Sequence, residues 1–243
     1  MNAASRYFEY AQGKLSKVLE SEMQNIQNAA GLIADSCKKG GKFYIFGSGH
    51  SHMIAEELYL RTGGLALVHA MLPPELMLHQ MSMKSSLMER LEGYGKALVD
   101  LYHIDEKDTV MVVSNSGRNA VPVEVCYYAK VKGAKVIALT SMKHSAGCAS
   151  RHSSNKKIYE LADVIIDNFA DKGDAGFKVE GMENLMGPVS SVTGVVIAEA
   201  LACQVAENLT KDGIVPPVFI SSNVDGGDEY NDNLFKTYYG YWK

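Results

Sequence analysis

Residues 42–52, KFYIFGSGHSH, set the pattern that the rest of the chain repeats. An apolar run, KFYIF, is followed by a glycine-rich turn and then by a helix-like stretch over residues 52–61. A strand, a glycine-rich turn and a helix in this order are typical of parallel α/β folds, where the turn and the helix N-terminus often hold a phosphate. The stretch therefore predicts an α/β domain with an anion site at this turn.

The alternation of strands and helices continues along the chain. Besides the strand at 42–46, we predict strands over residues 65–71, 109–114, 135–141 and 161–167. Helices are predicted over residues 5–38 (one or two helices), 52–61, 121–132 and 188–209. Strands buried on both faces that alternate with helices form a parallel sheet covered on both sides. The sequence thus predicts a three-layer α-β-α fold with five parallel strands, and a loop through residues 171–181 before the last helix.

A single domain is predicted for most of the chain. Residues 1–215, including the N-terminal helices, are expected to form this domain, and its characteristic motifs lie between about residues 30 and 210. Residues 216–243 form an extended tail rich in aromatic and polar residues. We expect the tail to pack on its own domain or on a neighbouring subunit.

Composition and charge argue against several classes of protein. The net charge of −4 does not suit a nucleic-acid-binding protein, which needs a basic face. No run approaches the roughly 20 apolar residues of a membrane span, and the N-terminus has no signal pattern. The four cysteines form no CxxC pair, so neither a disulfide framework nor a zinc ribbon is indicated. We expect a cytoplasmic protein without nucleic-acid or membrane partners.

Two common phosphate motifs do not fit the turn after the first strand. A dinucleotide-binding turn has the pattern G-x-G-x-x-G and an acidic residue at the end of the second strand. Gly47 and Gly49 fit this pattern, but residue 52 is histidine and the second strand ends in VHAM. A P-loop needs glycine-lysine followed by serine or threonine, which this sequence lacks. A small monophosphate is the best remaining ligand.

Short hydroxyl and amide side chains follow three of the predicted strands. The carboxyl ends of parallel strands meet at one edge of a sheet, so these turns are expected to form one site. Hydroxyls, backbone N–H groups and a helix N-terminus can hold a phosphate without a dedicated lysine, and a glycine lets the backbone approach the anion closely. The candidate phosphate ligands are Ser48, Ser51, Ser114, Ser116, Gly117, Asn119 and Thr140.

These motifs, in their order, resemble the sugar isomerase (SIS) domain family. The resemblance rests on GSGHS and VVSNSGRN, each followed by a helix, and on IALTS, and it is greatest to phosphoheptose-isomerase-like members. It implies a flavodoxin-like sheet and a phosphosugar site whose phosphate loops match Ser51, Ser114, Ser116, Gly117 and Thr140. Asn119 stands where many members carry serine or threonine. The resemblance also implies a homodimer or homotetramer, because family members commonly form these.

Aldose–ketose isomerisation needs a base near the sugar carbons and an acid near the sugar oxygens. Glutamate and histidine suit these roles. The resemblance implies a catalytic carboxylate either on the helix over residues 52–61 or just before the last helix. Glu57 and Glu183 are therefore the candidate bases, and Glu183 is preferred. It also implies His79, in PPELMLHQM, as a catalytic histidine, although one extra residue separates it from Glu75 here. Further candidate substrate contacts are His50, Arg118 and Ser190.

No metal and no cofactor are predicted. His50 and His52 are a conceivable zinc pair, because phosphoheptose isomerases of this family can bind zinc. However, an H-x-H pair at the junction between a turn and a helix does not place both rings on one face. Capping or packing histidines are the preferred interpretation.

The leading hypothesis for function is a phosphosugar isomerase. SIS domains also serve as phosphosugar sensors in regulatory proteins, so a non-catalytic binding protein is the first alternative. The second alternative is a lyase or etherase that acts on a phosphorylated amino sugar. The sequence does not identify the sugar.

Overall fold

The computed structural model of the chain describes residues 1–81 and 83–240. Within this part, the helices are α1 (Ala3–Ser21), α2 (Met23–Lys38), α3 (His52–Leu58), α4 (Lys84–Met88), α5 (Tyr94–Leu101), α6 (Ala120–Val131), α7 (Met142–Ser145), α8 (Ile158–Leu161), α9 (Ser190–Lys211) and α10 (Gly227–Tyr239). The strands are β1 (Phe43–Gly47), β2 (Val68–Met71), β3 (Thr109–Val113), β4 (Lys135–Thr140), β5 (Val164–Asp167), β6 (Ala175–Phe177) and β7 (Met186–Pro188). The last three residues of the predicted tail, 241–243, lie outside the described residues.

Five strands form one parallel sheet in the order β2-β1-β3-β4-β5. The register brings the ends of neighbouring strands level, with Gly47 opposite Val113 and Val113 opposite Leu139. β1 and β3 are buried along their whole length, as apolar strands covered on both faces should be. The predicted three-layer fold with a five-stranded parallel sheet is confirmed.

Alternate residues of each strand point to opposite layers. On one face of the sheet, Phe43 and Ile45 belong to a core shared with α2, α3 and α9. On the other face, Tyr44 and Phe46 belong to a second core shared with α5 and α6. Burial contributes about 25 cal/mol per Å² of apolar surface, so two cores of this kind hold the strands, and the turns at their ends, in fixed positions.

Helix α9 is long and apolar enough to cross a membrane by length and composition alone, with a mean hydropathy of 1.3 in its most apolar window. In the structure, Ile197, Leu201 and Val205 of this helix are buried in the core beside α2 and the sheet. A core helix and a membrane span share these sequence properties, and α9 uses its apolar face in the domain core. That the chain has no membrane partner stays a prediction.

A small antiparallel hairpin, β6–β7, occupies the region where the sequence predicts a loop before α9. Helix α1 holds this hairpin in place. The Tyr7 hydroxyl donates a hydrogen bond of 2.8 Å to the carbonyl oxygen of Pro188, and the Tyr7 ring packs edge-on against Phe177. Because β7 leads directly into α9, the hairpin fixes the position of the α9 N-terminus.

The C-terminal segment packs against the edge of the sheet. Leu65 and Val218 form an antiparallel bridge that is flanked by further backbone hydrogen bonds. Helix α10 then lies over β2, and the Tyr239 hydroxyl donates to the carbonyl oxygen of Val68. The predicted strand over 65–71 starts only at Val68, because Leu65 and Ala66 pair with the tail instead of with β1.

His69, on β2, is half-buried beside aromatic rings of the sheet and the tail. Its ring centroid lies 4.5 Å from that of Tyr239 and 5.6 Å from that of Tyr44. Burial, followed by the charge of Lys42, lowers the pKa of His69 from 6.5 to about 4. The unfolded chain takes up a proton near the ordinary pKa, whereas the folded chain does so only near the lowered one. The free energy of unfolding should therefore fall as the pH drops from about 6.5 toward about 4.

Changing His69 to phenylalanine should weaken this acid sensitivity, because phenylalanine keeps the ring contacts and does not titrate. The expected result is a smaller drop of the thermal midpoint between about pH 7 and about pH 4 than in the unaltered protein. The exposed His103, changed to phenylalanine in the same way, provides the control. An unchanged pH dependence in the His69 variant would rule out this imidazole as a source of the acid sensitivity.

Candidate functional site

Two polar turns lie side by side where β1 and β3 end. The first turn, Ser48–Ser51, contains a 3-10 turn over Gly49–Ser51 and leads into α3. The second turn, residues 114–119, leads into α6. Since β1 and β3 are neighbours, the turns border one cleft of about 450 Å³. Its lining residues are Ser48, His50, Ser51, Glu89, Ser114, Asn115, Ser116, Asn119, His144, Gly173, Asp174 and Ser190.

The second turn is held in shape from within and from β4. The Ser114 hydroxyl oxygen accepts a hydrogen bond of 3.2 Å from the backbone N–H of Gly117. The Thr140 hydroxyl donates to the carbonyl oxygen of Ser114 at 2.7 Å. Thr140 is fully buried and does not line the cleft. Its hydroxyl therefore shapes the turn from below, in contrast to the phosphate contact that the sequence suggested.

Gly117 is needed at its position for two separate reasons. Its φ of +58° is in the left-handed region, which residues with a Cβ rarely adopt. A Cβ at this position would lie 2.9 Å from Cγ1 of Ile158 and 3.0 Å from the Ser145 hydroxyl. Gly117 is buried beneath the turn and does not line the cleft. Like Thr140, it supports the predicted phosphate loop without facing the cleft.

Changing Gly117 to alanine should destabilise the protein more than the same change at Gly40. Gly40 also has a left-handed φ, of +71°, but a Cβ there would meet no atom within 4 Å. In both variants the left-handed backbone conformation should lower the free energy of unfolding by about 1–2 kcal/mol. Crowding at Gly117 should lower it by about 1–3 kcal/mol more. Urea denaturation measures the difference between them. Equal destabilisation would show that the turn can relax around a methyl group.

Glu89 bridges the two turns across the cleft. This residue follows α4, and its carboxylate accepts hydrogen bonds from the Ser48 hydroxyl at 2.8 Å and from the Asn119 side-chain N–H at 2.7 Å. Its backbone carbonyl also accepts from the N–H of Val121 in the first turn of α6. Two of the predicted phosphate ligands, Ser48 and Asn119, thus orient a carboxylate that the sequence analysis had not selected.

The N-terminus of α9 forms another wall of the cleft. Asp174 accepts hydrogen bonds from the backbone N–H groups of Val189 and Ser190, and a third, of 2.5 Å, from the Ser190 hydroxyl. Asp174 has a φ of +70°, which is uncommon for a residue with a side chain. Ser190, a predicted substrate contact, lies in the cleft, and Asp174 holds its hydroxyl in place.

Two histidines line the cleft. His50 is exposed on the first turn, as expected for a candidate substrate contact. His144 lies on α7 and is half-buried. Its Nδ1 atom accepts a hydrogen bond of 3.4 Å from the backbone N–H of Gly173. Burial, followed by the charges of Arg118 and Lys172, lowers the pKa of His144, while Asp174 acts in the opposite direction.

Positive charge lies behind the second turn. The Arg151 guanidinium donates a hydrogen bond of 3.1 Å to the side-chain oxygen of Asn119. Arg118 does not line the cleft, but its charge acts on His144. The N-terminus of α6 adds the positive end of a helix dipole at the same place. The second turn is therefore the part of the cleft best suited to hold an anion.

The structure does not bring the three predicted catalytic residues into the cleft. Glu57 is on the side of α3 that meets α9, where it pairs with Arg61, which in turn pairs with Glu199. Glu183 is exposed between β6 and β7, remote from the cleft lining. His79 is also exposed, and it lines a smaller neighbouring pocket of about 190 Å³.

His52 packs inside the domain instead of facing the cleft. Its side chain is 3% exposed, its Nδ1 atom lies 3.3 Å from the carbonyl oxygen of Gly47, and burial lowers its pKa. His50, in contrast, is exposed, so the H-x-H pair does not present both rings together. Within residues 1–81 and 83–240, no group of three or more histidine, cysteine or acidic side chains is arranged to hold a metal ion.

Five lining residues were missed by the sequence analysis: Asn115, Glu89, His144, Gly173 and Asp174. Asn115 lies within the SNSGRN motif and could have been included on that ground. The other four lie in segments that the sequence describes only as irregular, and they reach the cleft through contacts across long stretches of chain. The sequence pattern carries no signal for such contacts.

Comparison with known proteins agrees with this architecture. A family model described as the SIS domain matches residues 6–141. A UPF0309 protein of Halalkalibacterium halodurans is 51% identical over 232 residues, which cover 96% of each chain. A phosphoheptose isomerase from Neisseria gonorrhoeae has a similar fold, with a TM-score of 0.55 and 16% identity over 84% of this chain and 97% of that chain.

The sugar isomerase domain of a transcription factor from Sphaerobacter thermophilus also has a similar fold. Its TM-score is 0.52, at 15% identity over 87% of this chain and 93% of that chain. At such low identity these two structures support the fold alone, whereas the family model and the UPF0309 relative establish kinship in sequence. The chain belongs to the SIS domain family, together with its UPF0309 relatives.

Proposed function

We propose that this protein binds a phosphorylated sugar in the cleft between the β1 and β3 turns and catalyses its aldose–ketose isomerisation. The observation that carries the proposal is the presence of two kinds of group in one cleft. Hydroxyls at a helix N-terminus suit a phosphate, and a carboxylate held between the two turns suits a proton transfer. A phosphoheptose isomerase of similar fold is consistent with this reaction.

The phosphate is proposed to lie at the second turn. Ser114 and Ser116 line the cleft there, and Ser51 faces them from the first turn. The N-terminus of α6 and the guanidinium of Arg151 behind Asn119 provide positive potential without a lysine in the lining. A phosphate held mainly by hydroxyls and backbone groups can also be released after the reaction, which an enzyme requires.

Glu89 is proposed as the base that moves the proton between the sugar carbons. It would take the proton from C2 of the aldose, leaving an enediol(ate), and then give a proton to C1 to form the ketose, after partial exchange of the carboxyl proton with solvent. The carbon skeleton keeps all its atoms, and the oxidation of C2 is balanced by the reduction of C1. Two hydrogen bonds fix the carboxylate position before substrate arrives, and such fixed orientation is a requirement for effective general base catalysis.

The proposal is tested in two steps with a panel of sugar phosphates and the matching free sugars. A phosphorylated sugar should raise the thermal midpoint, whereas its free counterpart should not. For the sugars that bind, NMR in deuterium oxide should then show exchange of the C1 or C2 proton together with formation of the ketose. If free sugars stabilise the protein and phosphorylated ones do not, the proposed phosphate site is wrong.

The same experiment separates the two alternative functions. The similar fold of a transcription factor's sugar isomerase domain favours a phosphosugar-binding regulator as the second candidate. A regulator would be stabilised by the sugar phosphate without any proton exchange. A lyase or etherase acting on an amino-sugar phosphate would release a second product, which NMR would detect directly. That the protein is a cytoplasmic homodimer or homotetramer stays a prediction, and light scattering of the purified protein tests its oligomeric state.

A further inference from the structure

The backbone of His144 is anchored beside the cleft. The Ser141 hydroxyl begins the short helix α7: it accepts a hydrogen bond from the backbone N–H of His144 at 3.2 Å and donates one of 2.6 Å to the carbonyl oxygen of Ala170. Ser141 is fully buried, directly after β4. The backbone at His144 is therefore anchored to the edge of the sheet where the strand-end turns meet, and its ring lines the cleft.

The hydrogen bond at Nδ1 determines the tautomer of His144. The backbone N–H of Gly173 is a donor, so Nδ1 must carry a lone pair and the proton of the neutral ring resides on Nε2. Gly173 and Asp174, with φ of +78° and +70°, turn the chain so that this N–H points at the ring. Burial and the charges of Arg118 and Lys172 lower the pKa of His144, with Asp174 opposing them, so the neutral ring is the favoured form near pH 7.

We propose that His144 is the second proton-transfer residue of the site and moves a proton between O1 and O2 of the sugar during isomerisation. This inference rests on the proposed function. The Nε2–H would be donated to the carbonyl oxygen O1 while Glu89 removes the proton from C2. The same nitrogen would then take the proton from the hydroxyl at O2, which restores the neutral ring as the ketone forms. The ring thus gives one proton to O1 and regains one from O2, so no other reactant is needed.

The other candidates in the cleft are less suited to this role. The carboxylate of Asp174 accepts three hydrogen bonds from groups at the α9 N-terminus, so Asp174 acts as a helix cap. His50 is exposed, and within the described residues no hydrogen bond fixes its tautomer. His144 combines an anchored backbone, a hydrogen bond at Nδ1 that selects its tautomer, and a position in the cleft lining.

The test compares His144→Gln with the unaltered protein, using a sugar phosphate that the unaltered enzyme isomerises. Glutamine can still donate a hydrogen bond to a sugar oxygen, but it cannot pass a proton from one oxygen to the other. We expect kcat to fall about 100-fold, the order of magnitude for a lost proton-transfer group, with little change in the thermal shift caused by ligand. In deuterium oxide, the ratio of C2 exchange to ketose formation should rise, because the enediolate returns to the aldose more often than it proceeds.

Three controls make the result decisive. His103→Gln, at an exposed position outside the cleft, should behave like the unaltered protein. Ligand-induced stabilisation reports whether the His144 variant folds, and His144→Asn provides a second variant with a shorter amide. If the glutamine and asparagine variants bind the sugar phosphate and keep both kcat and the exchange ratio, the role of His144 is wrong while the isomerase proposal stands. If the unaltered protein exchanges no proton with any sugar phosphate that it binds, the proposed function itself fails.

Discussion

Glu89→Gln is expected to lower kcat about 10²- to 10⁴-fold, the range for loss of a general base. The glutamine oxygen can still accept from the Asn119 side-chain N–H, and its amide nitrogen can donate to the Ser48 hydroxyl, so the two turns should stay in place. The change also removes a negative charge from a cleft that is proposed to bind a phosphate. We therefore expect KM to stay the same or to decrease, while the rate of C2 proton exchange falls together with kcat. Steady-state kinetics and NMR exchange rates measure the two effects.

Glu57 and Glu183 offer matched controls for this result. Both were predicted as bases from the sequence, and the structure places neither in the cleft. Glu57→Gln and Glu183→Gln should therefore keep kcat within a few-fold of the unaltered enzyme. A large loss of activity in either variant, combined with a mild effect at Glu89, would transfer the role of base from Glu89 to that residue.

The second large effect is expected for the double variant Ser114→Ala, Ser116→Ala, which should lose most of its affinity for the sugar phosphate. Hydrogen bonds to a charged group contribute about 1.5–3 kcal/mol each. Loss of two such bonds amounts to about 3–6 kcal/mol, or roughly a 10²- to 10⁴-fold increase in Kd. Isothermal titration calorimetry of the double variant, compared with the unaltered protein, gives this number directly.

The two serines need to be separated, because Ser114 has a structural contact as well. Its hydroxyl oxygen accepts from the N–H of Gly117, so Ser114→Ala also loosens the turn. Ser116→Ala alone removes a hydroxyl of the lining without disturbing that bond, and it should show about half of the loss in binding free energy. Ser222→Ala, at an exposed position on the tail, serves as the control. Unaltered affinity in the double variant would exclude the second turn as the phosphate site.

Much of the fold could be predicted because it depends on local patterns. The runs at 42–46, 109–114 and 135–141 are apolar in their interior and are bounded by glycine or polar turns, which identifies buried parallel strands. The elements that differ from the prediction depend instead on partners far away along the chain. Leu65 pairs with Val218 in the tail, and the β6–β7 hairpin is held by Tyr7 of α1. A short stretch of sequence contains no information about contacts with residues so far away along the chain.

The candidate site likewise contains residues that could be predicted from the sequence and residues that could not. The serines of the first and second turns follow directly from strands, so their convergence could be inferred from the parallel sheet alone. Thr140 satisfies the same rule, yet its hydroxyl points to Ser114 and Asn115, since the rule gives the end of a strand but not the direction of a side chain. Glu89 follows a short helix of a connection that has no strong periodicity, and only its hydrogen bonds to both turns reveal its place.

The pairing of Leu65 with Val218 has a consequence for the order in which the molecule is completed during synthesis. The sheet and its flanking helices up to the end of α9 can be made while the outer edge of β2 is still uncovered. Until residues 216–239 have been made, this edge offers free backbone groups to other nascent chains. Residues 216–239, none of which lines the cleft, are therefore expected to limit association of newly made chains through this edge.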